Sequence, residues 1–180
     1  MAKAENDHDT MVDYITGKIV PNVGTEEIRQ RVEKFLVEER GYSKEAIAVD
    51  ADIAVEIDGE KYTSQLDLVV SAEGSAFMVV KCAAGSLESR EREVVSAARI
   101  FASHPLPRAV VTDSPTAVVY DVISGQKISQ GLEAIPSFSQ ALELLSGYQP
   151  PNFSDIKKKK EKIIYRSYDS MNVNTQRNVG

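Results

Sequence analysis

Between Ile47 and Cys82 the chain carries three extended runs separated by two tight-turn signals, and this pattern narrows the fold more than any other stretch. Ile47 to Ile57 tends towards alternation and ends at Asp58-Gly59, a dipeptide that accepts the left-handed backbone of a two-residue hairpin. Lys61 to Val70 forms the return strand. Glu73-Gly74-Ser75 is a second turn, and Ala76 to Cys82 is almost wholly apolar, as suits a strand in the middle of a sheet. The expectation is a three-stranded antiparallel meander.

Helical periodicity flanks this meander. Gly24-Thr25-Glu26-Glu27 opens a segment in which Ile28, Val32, Phe35 and Leu36 share one face, with Thr25 placed to cap and acids in the first turn. That helix should run to about Arg40 and stop at Gly41. A second helix is expected over Leu87 to Ala102, presenting Leu87, Val94, Val95, Ala98 and Phe101, until Pro105 and Pro107 exclude its continuation. Ala109 to Thr112 and Ala117 to Ile123 then read as two further strands around Asp113-Ser114-Pro115, which makes a strand, helix, strand crossover. Ser137 to Leu145 predicts a third helix. After Pro150-Pro151, Ser154 to Arg166 predicts a short basic one, with the chain fraying from Ser167.

The fold class is therefore α/β, with a mixed central sheet of about five strands flanked by helices. A chain of 180 residues holds one sizeable core and is too short for two ordinary domains. The expected organisation is a polar leader (1–24), an α/β domain (25–150), and a basic C-terminal helix with a frayed tail (151–180).

Composition limits the chemistry. Apolar stretches such as Ala76 to Val80 fall far short of the ~20 residues of a membrane-spanning helix. The start MAKAENDHDT lacks the features of a secretory signal. One cysteine, Cys82, and two histidines put the usual Cys/His zinc site out of reach, and the whole fits a reducing cytoplasm. Neither His8 nor His104 is placed to activate Cys82, which reads as a core thiol. The net charge of −6 is uneven: residues 1–150 carry 14 Lys+Arg against 24 Asp+Glu, and residues 151–180 carry 7 against 3. Lys157, Lys158, Lys159, Lys160 and Lys162 are thus candidate contacts to nucleic-acid phosphates, with a solvated helix face as the plainer reading. Tyr165 and Tyr168, beside Arg166, either stack on bases or pack the terminal helix on the body.

The succession TEEIRQRVEKFLVEERGYSKEAIAVDADIAV, YTSQLDLVV, FMVVKCAAG, EREVVSAARIF, AVVTD and VVYDVISGQ, over about residues 25–128, resembles the nuclease-type module at the N-terminus of type I restriction motor subunits. That module belongs to the PD-(D/E)XK superfamily, so the resemblance implies a restriction-endonuclease-like fold. It also implies chemistry in which carboxylates hold magnesium at the scissile phosphate and a lysine positions or activates water. Carried onto this chain, Asp67 in QLDLVV matches the strand aspartate and would be the metal ligand of an active enzyme. Glu26 or Glu27 matches the helix acid.

The Glu-x-Lys pair is not intact. Aligned one way, Lys81 stands in place of the metal-binding Glu and Ala83 in place of the lysine. Shifted by two, Lys81 is the lysine and Val79 replaces the Glu. A carboxylate is missing in either register, while Glu93 and Glu91 lie on the following helix. Two functions follow. The first is a catalytically degenerate nuclease-like module serving nucleic-acid binding or assembly, needing no cofactor, in which Lys81 neutralises Asp67 as a metal mimic. The alternative is an active magnesium-dependent DNA endonuclease with a relocated carboxylate. The sequence shows no helicase motor, methyltransferase or target-recognition segment, so a restriction role calls for partners: DNA, protein subunits of a restriction-like system, or a second copy in a homodimer.

Overall fold

The structure, a computed structural model, describes residues 9–177, with side chains described as far as Asn172. The first eight residues of the expected leader and the last three of the tail lie outside the described residues.

The meander forms as its turn signals predict. β3 (Ile47–Ile57), β4 (Glu60–Ala72) and β5 (Ser75–Cys82) pair antiparallel, and Asp58 and Gly59 at the first turn both take positive φ, 51° and 82°. Following β5, α2 (Glu91–Ile100) returns the chain so that β6 (Arg108–Thr112) lies parallel to β5. β7 (Ala117–Asp121) and β8 (Lys127–Gln130) then add antiparallel, which gives one mixed six-stranded sheet in the order β3-β4-β5-β6-β7-β8. The sheet thus has six strands where about five were expected. β8 is the addition, short and mostly exposed, so no hydrophobic pattern announces it.

Helices cover both faces. On one, α1 (Glu26–Glu38) inserts Val32 and Leu36, both fully buried, onto Leu68, Val70, Val80 and Val110, and α3 (Phe138–Ser146) adds Ala141. Burial of each such aliphatic side chain contributes roughly 1.5–3 kcal/mol. Ser137 caps α3 with a complete capping box to Gln140, whereas Thr25, placed by sequence to cap α1, makes no side-chain cap bond. On the other face α2 lays Val94, Val95, Ala97 and Ala98 against Val79, Ala109 and Val111.

Two segments differ from expectation. Residues read as a polar leader include a two-stranded ribbon, β1 (Thr10–Val12) with β2 (Ile19–Pro21), folded around Asp13, whose carboxylate accepts from Ile15 N, Thr16 N and Thr16 Oγ1. The terminal helix does not fray at Ser167. As α4 (Asp155–Arg177) it continues to Arg177, packing along α2 and reaching β3. Its contacts are long-range: Lys159 to Asp58 at 2.6 Å, Arg166 to Glu60 at 3.2 Å, and Glu161 to Arg99 of α2 at 2.7 Å.

Candidate functional site

A break in strand alternation places the site. Along β3, Ile47 and Val49 face α1 whereas Ile53 and Val55 face α2; along β4, Leu68 and Val70 face α1 whereas Leu66 faces α2. Both switches fall where Asp50 and Asp67 lie opposite each other, between the pairs Val49–Leu68 and Ala51–Leu66. Asp50 takes φ 50°, a left-handed conformation that lets the strand change phase there. Asp67 sits at the crossing and reaches β5, where its Oδ2 accepts the Cys82 backbone N–H at 2.8 Å.

On β5 Val79 and Lys81, and Ala83 just after it, share the face towards α2. Lys81 Nζ lies 3.9 Å from Asp67 Oδ2 and 3.3 Å from Glu93 Oε1 of α2. Burial acts to lower the Lys81 pKa, but the charges of Asp67 and Glu93 prevail and hold the ammonium above the ordinary lysine value. Val79, the residue standing where one register calls for a Glu, lines the same cleft.

α4 closes the cleft from above. Asn172 Nδ2 donates to both oxygens of Glu93, at 3.0 and 2.9 Å, and Asn172 Oδ1 accepts from Arg90 Nη1 at 2.5 Å. Tyr62 donates to Asp169 at 2.5 Å, and Tyr165 is buried against the α2 core. The space left in the partly open cleft is about 10 Å³, on the scale of a single water molecule. The sequence marks Tyr165 only for stacking or packing, and it does not single out Asp169 and Asn172, because their polar surroundings read as a fraying end. The available signal was periodic: Glu161, Tyr165, Asp169 and Asn172 recur at intervals of four, four and three, one face of a helix.

Glu26 and Glu27 do not join this cleft. Glu26 pairs with Arg29 at 2.9 Å and accepts from Gln30 at 2.8 Å, and exposed Glu27 meets Asn22 and Arg31. Glu26 belongs instead to a second charged cluster under the β1–β2 ribbon. There Arg29, 9% exposed, lies 2.6 Å from Asp50 and 3.7 Å from both Asp13 and Glu33. Glu33 is fully buried, and its Oε1 accepts no hydrogen bond. Burial, reinforced by the charge of Asp13 and only partly offset by Arg29, pushes its carboxyl up to about 8. The folded state therefore holds a proton that the unfolded chain releases near the ordinary glutamate value, so this group's contribution falls as pH rises from about 4.5 to about 8. Glu33→Gln is expected to flatten that slope and to raise the melting temperature above pH 8, as thermal melts across this range will show.

The C-terminal lysines divide. Lys159 pairs with Asp58 and Lys162 donates to the Glu56 carbonyl at 3.5 Å, so these two dock the helix, while Lys157 stands 4.0 Å above the ring of Phe153, just before its own helix. Lys158 and Lys160 form no ion pair among the described residues. Cys82 is 2% exposed, and burial pushes its thiol well above the usual range, as befits a core residue.

Asp67 and Glu93 offer the hard oxygen donors that magnesium takes, yet in this arrangement they do not fit the ion. Each faces the Lys81 ammonium, Glu93 is bridged by Asn172, and among the described residues no group of three or more His, Cys, Asp or Glu side chains is disposed to hold a metal. Also among the described residues, no helix is long and apolar enough to cross a membrane.

Fold and cleft together define an α/β module in which two carboxylates and a lysine converge beside the crossover strand. Residues 24–136 match the family described as Type I restriction enzyme R protein N terminus (HSDR_N), and the chain belongs to that family. The match spans α1 to the segment before α3 and contains Asp67, Lys81 and Glu93; α4 lies beyond it. No curated protein and no solved structure matches the chain.

Proposed function

We propose that this chain is a PD-(D/E)XK-type module that does not cleave, and that it serves a restriction-type system through nucleic-acid binding or subunit assembly. One observation carries the reading: the Lys81 ammonium lies between Asp67 and Glu93, so that the protein's own cation neutralises the carboxylates which a nuclease would present to a metal. Lys158 and Lys160, with no acidic partner among the described residues, are the tail positions left for phosphate contact, and affinity through them falls steeply with salt.

A second reading, an endonuclease with a relocated carboxylate, draws on the place of Glu93. It shares the cleft with Asp67 and Lys81, and thereby supplies a second acid where Val79 supplies none. Calorimetric titration of the full chain with Mg²⁺ and Mn²⁺, alongside a DNA-cleavage assay and an Asp67→Ala control, separates the two. No heat of binding and no cleavage is the expected result. Saturable uptake with cleavage, both lost in Asp67→Ala, would establish the second reading instead.

A further inference from the structure

The β1–β2 ribbon turns its apolar cross-strand pair away from the body: Val12 and Ile19 are 63% and 74% exposed. Its hold on α1 is polar and runs through two acids, Asp13 and Glu33. Tyr14 N donates to Gln30 Oε1 at 2.6 Å, Gln30 Nε2 donates to Asp13 Oδ2 at 3.0 Å, and Ile15 N reaches Glu33 Oε2 at 3.3 Å, while the Ile15 side chain packs at the margin of the core. Glu33 lies beneath this contact with no exposure at all, and its other oxygen, Oε1, accepts no hydrogen bond. The cation beside that oxygen, Arg29 at 3.7 Å, is already engaged by Asp13, Glu26 and Asp50. On β5 the neighbouring ionisable group is the Cys82 thiol, which supplies no positive charge. An ionised Glu33 would be a fourth negative charge on a single guanidinium, with one oxygen bare in a dry site, and such a charge is costly to keep from water.

We propose that the ribbon is a proton-gated strap: it lies down on α1 while Glu33 is neutral and lifts when Glu33 ionises, admitting water to a carboxylate that the docked arrangement does not solvate. The direction follows from linkage. With the ribbon down, burial and the charge of Asp13 push the Glu33 carboxyl up to about 8, and hydration on lifting returns it towards the ordinary value of 4.5. Docking therefore weakens as pH rises from about 4.5 to about 8 and levels off beyond. The neighbours keep their charge states through neutral pH. Burial opposes ionisation of Asp13, but hydrogen bonds from Thr16 and Gln30 and the charge of Arg29 hold its carboxyl low; Asp50 and Glu26 hold Arg29 charged against the effect of burial; burial keeps Cys82 a thiol. The ribbon precedes the residues that the family match covers and sits on the α1 side of the sheet, whereas Lys81 faces α2, so the strap stands whichever way the Lys81 cleft is read.

Residue-resolved amide exchange of the full chain, corrected for the intrinsic pH dependence of exchange, tests the strap between about pH 6 and about pH 9. Tyr14 and Ile15 should be at least about tenfold less protected than the amides of β5 throughout, the sign of an opening that leaves the sheet in place. Their protection should fall several-fold per pH unit up to about pH 8, with roughly tenfold per unit the ceiling for one linked proton. In Glu33→Gln, which keeps the shape without the charge, ribbon protection should no longer depend on pH. A carboxyl NMR titration of the unsubstituted protein, independent of how any variant folds, should find Glu33 still protonated at about pH 6. Ribbon protection that is flat with pH overturns the strap. Protection equal to that of β5, a slope retained in Glu33→Gln, or a Glu33 already ionised at about pH 6 overturns it as well.

Discussion

Arg29→Met is expected to destabilise the protein by about 3–5 kcal/mol, read as a lower urea midpoint with the m-value unchanged. Methionine replaces the aliphatic stem of Arg29 well enough, so the loss lies in the charge. Arg29 meets the carboxylates of Asp13, Glu26 and Asp50 and the carboxyl of Glu33, which burial keeps protonated at neutral pH, and Asp13 and Glu33 are almost completely shielded from solvent. Removing the cation leaves those acids against one another, with Gln30 still donating to Asp13 and Glu26 and Thr16 Oγ1 to Asp13. The cost should shrink only as pH falls below the ordinary aspartate range, where Asp13, whose carboxyl the folded state holds low, is discharged. A change below 1 kcal/mol at pH 7 would mean that the acids already share protons without help from Arg29. The β1–β2 ribbon should respond first, because Asp13 is its turn residue.

Lys81→Met is the second large effect, expected at about 2–4 kcal/mol, since it strips one counter-charge from a Glu93 that is 3% exposed. The informative quantity is the cycle with Glu93→Gln. If Lys81 serves as the counter-ion of the pair, the double substitution Lys81→Met/Glu93→Gln should cost less than the sum of the singles by about 1–3 kcal/mol. Additive costs would show that Glu93 is held by Asn172 and Arg90 alone, and would remove the ground for treating Lys81 as a stand-in for a metal. Chemical denaturation of the four proteins measures the coupling directly.

The reasons why parts of this fold were legible are local. The meander announces itself through Asp58-Gly59 and Glu73-Gly74, and α2 through its apolar stripe. β6 and β7 follow from short β-branched runs, Val110-Val111 and Val118-Val119, on either side of a proline turn. β1 and β2, three residues each, carry no such pattern and depend on Asp13 meeting Gln30 and Arg29 across the chain. The distal part of α4 was hidden in the same way: Ser167, Asp169, Ser170 and Asn172 are weak helix formers, and what holds them in a helix is tertiary contact with Tyr62 and Glu93. At the site, Asp67 and Lys81 were readable because they lie on neighbouring strands of one meander. Which acid would face them was not, because helical spacing places Glu26 and Glu93 equally well at the starts of their helices, and only the packing of α2 against β5 selects Glu93.

The phase change at Asp50 has a further consequence for how the molecule keeps to itself. β3 is an outer strand of eleven residues, long enough to template another chain. Its row of unpaired backbone groups is interrupted at its fourth residue, which has φ 50°, and the outer strand carries Asp50, Asp52 and Glu56 along its length. An incoming strand that ran the whole edge would have to follow the same reversal of faces while approaching a line of like charge. The irregularity that brings Asp67 to Lys81 thereby also protects the sheet against edge-to-edge aggregation.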